Sequence, residues 1–138
     1  NRNKKEKDAL ESYGKNLGLA FQIADDALDY FGQTKQMGKL IGKDFYEGKI
    51  TYPMIHCYSK CTAKDKKILK GFFKKKTRSK NDLTRTLKIM EKTNTHEKSL
   101  EFMSKFLEKA KKNILKFDGI ADKVYLDELV DHLLIREK

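Results

Sequence analysis

Apolar residues recur along this chain at spacings of three and four and nowhere alternate in the manner of a strand, so the chain can bury them only as helices. From Leu17 the positions Phe21, Ala24, Leu28 and Phe31 draw one continuous stripe down a helix that ends at Gly32. The stretch Gly32 to Lys49 holds Gly32, Gly38, Gly42 and Gly48 without a sustained period and is expected to be a long connection of the functional kind. Thr51 with Pro53 reads as a helix start, and Thr62 with Asp65 resembles a capping box opening a helix with Ile68, Leu69 and Phe72. Leu83, Leu87 and Met90 mark another helix. Leu100, Met103, Phe106, Leu107, Ala110, Ile114 and Phe117 make the strongest amphipathic pattern, and Tyr125, Leu126, Leu129, Val130, Leu133 and Leu134 make the last. The expected fold class is all-α.

With 138 residues the chain is one domain or part of one, since domains usually run ~100–200 residues. It starts at Asn1 rather than Met, as a piece of a longer polypeptide would. No apolar run approaches the ~18 residues of a bilayer crossing, so no transmembrane segment is expected. The start NRNKKEKDALE lacks a signal-peptide apolar core, which points to the cytoplasm. Cys57 and Cys61 stand four apart beside His56, but a zinc site needs four ligands, so the pair is expected to be reduced thiols on a helix. His96 and His132 lack partners in their patterns and are expected to be packed or at the surface.

The net charge of +11 is concentrated in the middle: residues 57–118 carry 19 basic and 7 acidic groups. The densest run, Lys64 to Lys80, could hold phosphate backbones by counterion release. Its interleaved Ile68, Leu69, Phe72 and Phe73 follow a helical core pattern instead, and no nucleic-acid motif accompanies it. A solvated helix face is the reading favoured; no nucleic-acid partner is expected.

On the first helix, Gln22, Asp25, Asp26 and Asp29 fall at offsets zero, three, four and seven, and therefore line up on one side. Asp25 and Asp29 repel at a cost of a few tenths of a kcal/mol. Such a face is either simply solvated or holds a hard divalent cation, and Mg²⁺ typically bridges one or two carboxylates to phosphate oxygens. The neighbouring downstream segment favours the cation. It presents Gly38-Lys39, Gly42-Lys43 and Gly48-Lys49 with Asp44 and Glu47: glycines that let backbone approach a ligand, and lysines suited to phosphate. It is not a P-loop, because three residues separate Gly38 from Gly42 and Asp44 follows Lys43.

These residues resemble those of trans-polyprenyl diphosphate synthases. The run YGKNLGLAFQIADDALDYFG, Tyr13 to Gly32, is similar to the helix bearing that family's second aspartate-rich motif, with Asp25-Asp26-Ala27-Leu28-Asp29 in the DDxxD place. The stretch GKLIGKDFYEGKITYP, Gly38 to Pro53, matches the family's segment downstream of that helix, and Tyr125 to Arg136 looks like the closing helix. The likeness is greatest to long-chain synthases that make quinone side chains. It implies a helical bundle of the isoprenoid-synthase type acting as a homodimer, and Mg²⁺-dependent condensation of isopentenyl diphosphate with an allylic diphosphate. By position, Asp25 becomes the main metal ligand, with Asp26 and Asp29 supporting. Asp44 orders metal-bound water, and Lys39 and Lys49 meet the diphosphate. Phe21 and Gln22 face the cleft near the reacting allyl group, with Gln22 and Lys39 as the catalytic pair. Gly14 and Gly18 permit close helix packing.

The family's first aspartate-rich motif does not occur in residues 1–138, which are therefore expected to be the C-terminal portion of a single polyprenyl synthetase domain. Alone, such a portion is expected to have no turnover. It needs the N-terminal half or a complementary subunit, or else it serves as a non-catalytic helical subunit that binds and modulates a synthase.

Overall fold

The computed structural model describes residues 4–32, 41–115 and Glu128. Apart from Glu128, the expected helix over Tyr125 to Leu134 lies outside those residues, as do Phe117, His132, Gly38 and Lys39. Among the described residues six helices succeed one another: α1 (Lys4–Phe31), α2 (Lys43–Tyr46), α3 (Tyr52–Lys60), α4 (Ala63–Lys74), α5 (Lys80–Lys92) and α6 (Thr95–Ile114). No strand occurs among the described residues, and the chain is all-α as its periodicity requires. None of these helices is long and apolar enough to cross a membrane.

Contacts divide the chain into two compact units. In the first, residues 4–24 of α1 and 100–114 of α6 bury Tyr13, Ala20, Ile23 and Ala24 with Met103, Leu107, Ala110 and Ile114. Ala20, Ala24 and Ala110 are wholly inaccessible, so their small side chains leave room for large neighbours such as Met103 and Leu107. Asn16 Nδ2 donates to Asn113 Oδ1 at 3.0 Å across the same contact. Truncating Leu107 to alanine here would cost about 2–5 kcal/mol.

The buried side of α1 follows the stripe expected from the sequence only in part. Ala9, Tyr13, Ala20, Ile23, Ala24, Ala27 and Tyr30 are buried, Leu17, Leu28 and Phe31 are half-buried, and Phe21 is 42% exposed. The expected stripe took in Ala24 but not Ala9, Ala20 or Ala27, and alanine carries much of this face. Gly14 and Gly18 are exposed, and a Cβ on either would meet nothing within 4 Å among the described residues, so they do not serve close packing there.

The second unit, Asp25–Ser99, closes α3, α4 and α5 around Phe45, Met54, Cys57, Leu69, Phe72, Leu83, Ile89 and Met90, with Tyr30 contributed by the end of α1. Thr51 and Pro53 stand at the start of α3 as expected. At α4, the Thr62 hydroxyl accepts the Asp65 N–H at 3.1 Å, while the Asp65 carboxylate takes Lys92 Nζ at 3.0 Å. The complete capping box belongs to α5: Ser79 Oγ accepts the Asp82 N–H and Asp82 accepts the Ser79 N–H. Cys57 is buried and Cys61 half-buried, both free thiols, and burial pushes the Cys57 thiol up to about 11. His96 is exposed and stacks on the Phe31 ring at 4.6 Å.

Candidate functional site

The acidic helix and the glycine-lysine segment meet at one residue. Asp29 is 4% exposed; its Oδ1 accepts the Lys43 N–H at 3.1 Å, and its Oδ2 accepts the Asp44 N–H at 2.8 Å. Its main-chain carbonyl accepts the Gly42 N–H at 2.7 Å. Three successive backbone donors thus end on one aspartate. Helix α2 starts from Gly42, which has no side chain to cap it, and Asp29 supplies the missing cap from another helix.

Glycine is required where that cap forms. Gly42 has φ +85°, and a Cβ there would lie 2.6 Å from Leu83 Cδ2. Gly48, at φ +74°, turns the chain back so that its N–H reaches the Phe45 carbonyl at 3.0 Å and the Lys49 N–H reaches the Asp44 carbonyl at 2.9 Å. The stretch expected as an irregular connection therefore contains a helical turn, held at both ends.

Arg78 holds the far end. Its Nε donates to the Phe45 carbonyl at 2.8 Å and Nη2 to the Tyr46 carbonyl at 3.3 Å. Nη1 donates to the Phe72 and Lys75 carbonyls at 3.2 and 2.9 Å. Carbonyls at the ends of α2 and α4 are thereby gathered by one fork of donors. Sequence reasoning placed Arg78 in a basic run read as a solvated face; no local pattern signals carbonyl groups that come together only on folding. Lys75 in the same run pairs with Asp82 at 2.9 Å.

The candidate ligands are graded in exposure: Gln22 and Asp25 are exposed, Asp26 and Asp44 half-buried, and Asp29 buried. The aspartates therefore do not share one solvent-facing side. Asp29, expected among the metal ligands, is buried, with two backbone N–H groups donating to its carboxylate. Lys49 is exposed and lies 3.3 Å from Glu47, which also stands 3.9 Å from Lys43; such exposed pairs hold weakly. Phe21 and Gln22 belong to the first unit, Asp25 to Lys49 to the second.

Sequence reasoning missed two hydroxyls. Among the described residues, Tyr30 Oη and Thr51 Oγ1 are buried side-chain polar atoms without a hydrogen-bond partner. Burial, then Asp29, Asp44, Cys57 and Asp26, hold the Tyr30 phenol well above the usual tyrosine range. No three acidic, histidine or cysteine side chains among the described residues form a cage for a metal by themselves. Carboxylates alone, fewer than a full shell, fit Mg²⁺ completed by phosphate oxygens and water.

The sequence profile of the family described as polyprenyl synthetase matches residues 1–90. The chain belongs to that family. The polyprenyl synthetase chain is 32% identical to the octaprenyl diphosphate synthase of Haemophilus influenzae over 88% of its own length and 36% of that protein. Its fold is similar to the polyprenyl synthase from Caulobacter crescentus, crystallised with calcium and isoprenyl diphosphate: TM-score 0.88, 31% identity, covering 99% of this chain and 42% of that one. The decaprenyl diphosphate synthase from Rhodobacter capsulatus gives a TM-score of 0.85 at 29% identity, covering 99% of this chain and 41% of that one. The polyprenyl synthetase chain spans less than two fifths of the length of the curated relatives it matches.

Proposed function

We propose that this chain is the C-terminal portion of a polyprenyl synthetase domain and supplies one side of a Mg²⁺-dependent centre. That centre joins isopentenyl diphosphate to an allylic diphosphate, giving a long-chain polyprenyl diphosphate of the kind used for quinone side chains. The supporting observation is the triple grip of Asp29 on Gly42, Lys43 and Asp44, which ties the acidic helix to the glycine-lysine segment.

In the reaction the allylic C–O bond breaks and its electron pair leaves with the diphosphate. The double bond of isopentenyl diphosphate attacks the resulting cation, and a proton is lost. Bound Mg²⁺ supplies positive charge that favours departure of the diphosphate. Asp25 is the main carboxylate for the ion, Asp26 supports it, and Asp44 orients water. Asp29 acts from inside as the brace that sets Asp44 in place. Lys49, exposed and only weakly paired, turns to the diphosphate together with Lys39, and Gln22 with Phe21 borders the allyl group. The intact enzyme works as a homodimer in the cytoplasm.

The chain alone has no turnover, because carboxylates on a second, facing helix are needed to complete the ion cluster. Titration with Mg²⁺ and farnesyl diphosphate tests the reading: binding should be lost in the Asp25→Ala, Asp26→Ala double variant. Equal behaviour of the variant and the wild type would reject it. The alternative reading is a non-catalytic helical subunit that binds and modulates a synthase. Turnover restored by mixing with a complementary N-terminal half, and lost with Asp25→Ala, excludes that alternative.

A further inference from the structure

Helices α3 and α4 leave between them a groove of about 510 Å³, within the size range of small-molecule sites. Met54 and Leu69 are buried at its base and Phe73 is half-buried; Ile50, Ile55 and Tyr58 stand exposed along it, Ile50 by 57% and Ile55 by 55%. Contiguous apolar surface left in water marks a binding surface. The Ser59 hydroxyl in the wall already donates to the His56 carbonyl at 2.8 Å, so a hydrocarbon chain suits this lining better than a ligand rich in hydrogen-bonding groups. The charged lining residues are Lys70 and Lys74, one turn apart on α4 and both exposed. Neither has an ion-pair partner among the described residues. Lys66, one turn earlier, holds its Nζ 5.7 Å from the centre of the Tyr58 ring. No acidic side chain lines the groove, and lysines at this spacing repel one another, so an anion at that edge relieves the repulsion.

We propose that this groove binds a single-chain anionic amphiphile, free in solution: its apolar chain lies along Ile50, Ile55 and Tyr58 over Met54 and Leu69, and Lys70 and Lys74 hold a phosphate head group. Both lining lysines come from α4, so the ligand carries its charge at one end and hydrocarbon along the rest. Lysine offers phosphate a point charge with three donors. This binding needs neither Mg²⁺ nor the aspartates of α1 and stands apart from the diphosphate reading above.

The test is calorimetric titration of the whole 138-residue chain with monomeric decyl phosphate, in EDTA so that no divalent cation takes part. Decanol and inorganic phosphate are titrated alongside, and the methyl NMR signals of Ile50, Met54 and Ile55 are followed. Decyl phosphate should bind, decanol more weakly and inorganic phosphate not measurably, with the three methyl signals moving. Binding should weaken about tenfold in Ile55→Asp and about threefold or more in the Lys70→Gln, Lys74→Gln double variant. It should be unchanged in the Asp25→Ala, Asp26→Ala variant. Equal affinity in wild type and both groove variants, or equal affinity for decyl phosphate and decanol, overturns the inference and leaves the diphosphate reading standing. Loss of binding in the aspartate variant overturns it as well. A chain that sediments as a dimer, and as a monomer in Ile55→Asp, overturns it in favour of a second copy in the groove. Displacement of decyl phosphate by a complementary N-terminal half overturns it in favour of a seam between the halves. Binding to phosphatidylglycerol vesicles without binding to monomeric decyl phosphate overturns it in favour of a bilayer surface. If a groove variant does not fold, the wild-type methyl signals decide: movement with decyl phosphate supports the inference and constancy overturns it.

Discussion

Asp29 caps a helix to which it does not belong: its Oδ2 accepts the N–H of Asp44, fifteen residues away, at 2.8 Å. The bond is charge-assisted and mostly shielded from water, so it holds a short turn that could not persist by itself.

Replacing Asp29 by Asn keeps the shape and removes one acceptor, leaving an amide NH₂ against a backbone N–H. The expected loss is roughly 2 kcal/mol of stability, read as a lower urea midpoint. Proteolysis between residues 41 and 50 should quicken in the same variant.

Gly42→Ala places a side chain in a left-handed backbone and drives its Cβ into Leu83. Together these should cost about 2–4 kcal/mol. Leu83→Ala relieves only the collision. The double variant should therefore lose less than the sum of the two single variants, by at least about 0.5 kcal/mol in a thermodynamic cycle.

Arg78→Lys keeps the charge but cannot reach four carbonyls in two directions. Denaturant unfolding should show a loss of roughly 2 kcal/mol, with hydrogen exchange faster in α2.

The Asp82 carboxyl is held below the usual carboxylate range, first by the Ser79 backbone N–H and then by Lys75. A depressed carboxyl contributes stability that is complete above its unfolded pKa and is lost as pH falls through the folded value. Urea midpoints measured from neutral pH down through the carboxylate range should fall less steeply in Asp82→Asn than in the wild type. Parallel curves would show that Asp82 does not carry the effect.

Much of the architecture was legible because helices record themselves locally. The stop at Gly32, the start of α3 at Thr51 and the stripe Met103, Leu107, Ala110 and Ile114 come from spacings within a few residues. The aspartate pattern and the glycine-lysine order were equally plain. The inner side of α1 was misread where alanines, rather than large apolar residues, face the core, and the Thr62 box was read as reciprocal when Asp65 in fact pairs with Lys92.

The helical class and the pairing of an acidic helix with a cationic segment are set by short-range periodicity, which any reader of the residues can count. That Asp29 turns inward while Asp25 stays in water, that Arg78 serves carbonyls rather than solvent, and that Tyr30 buries a hydroxyl without a partner among the described residues were decided only by tertiary structure. Each depends on groups 14 or more residues apart, or on burial from water, and neither is written in local spacing.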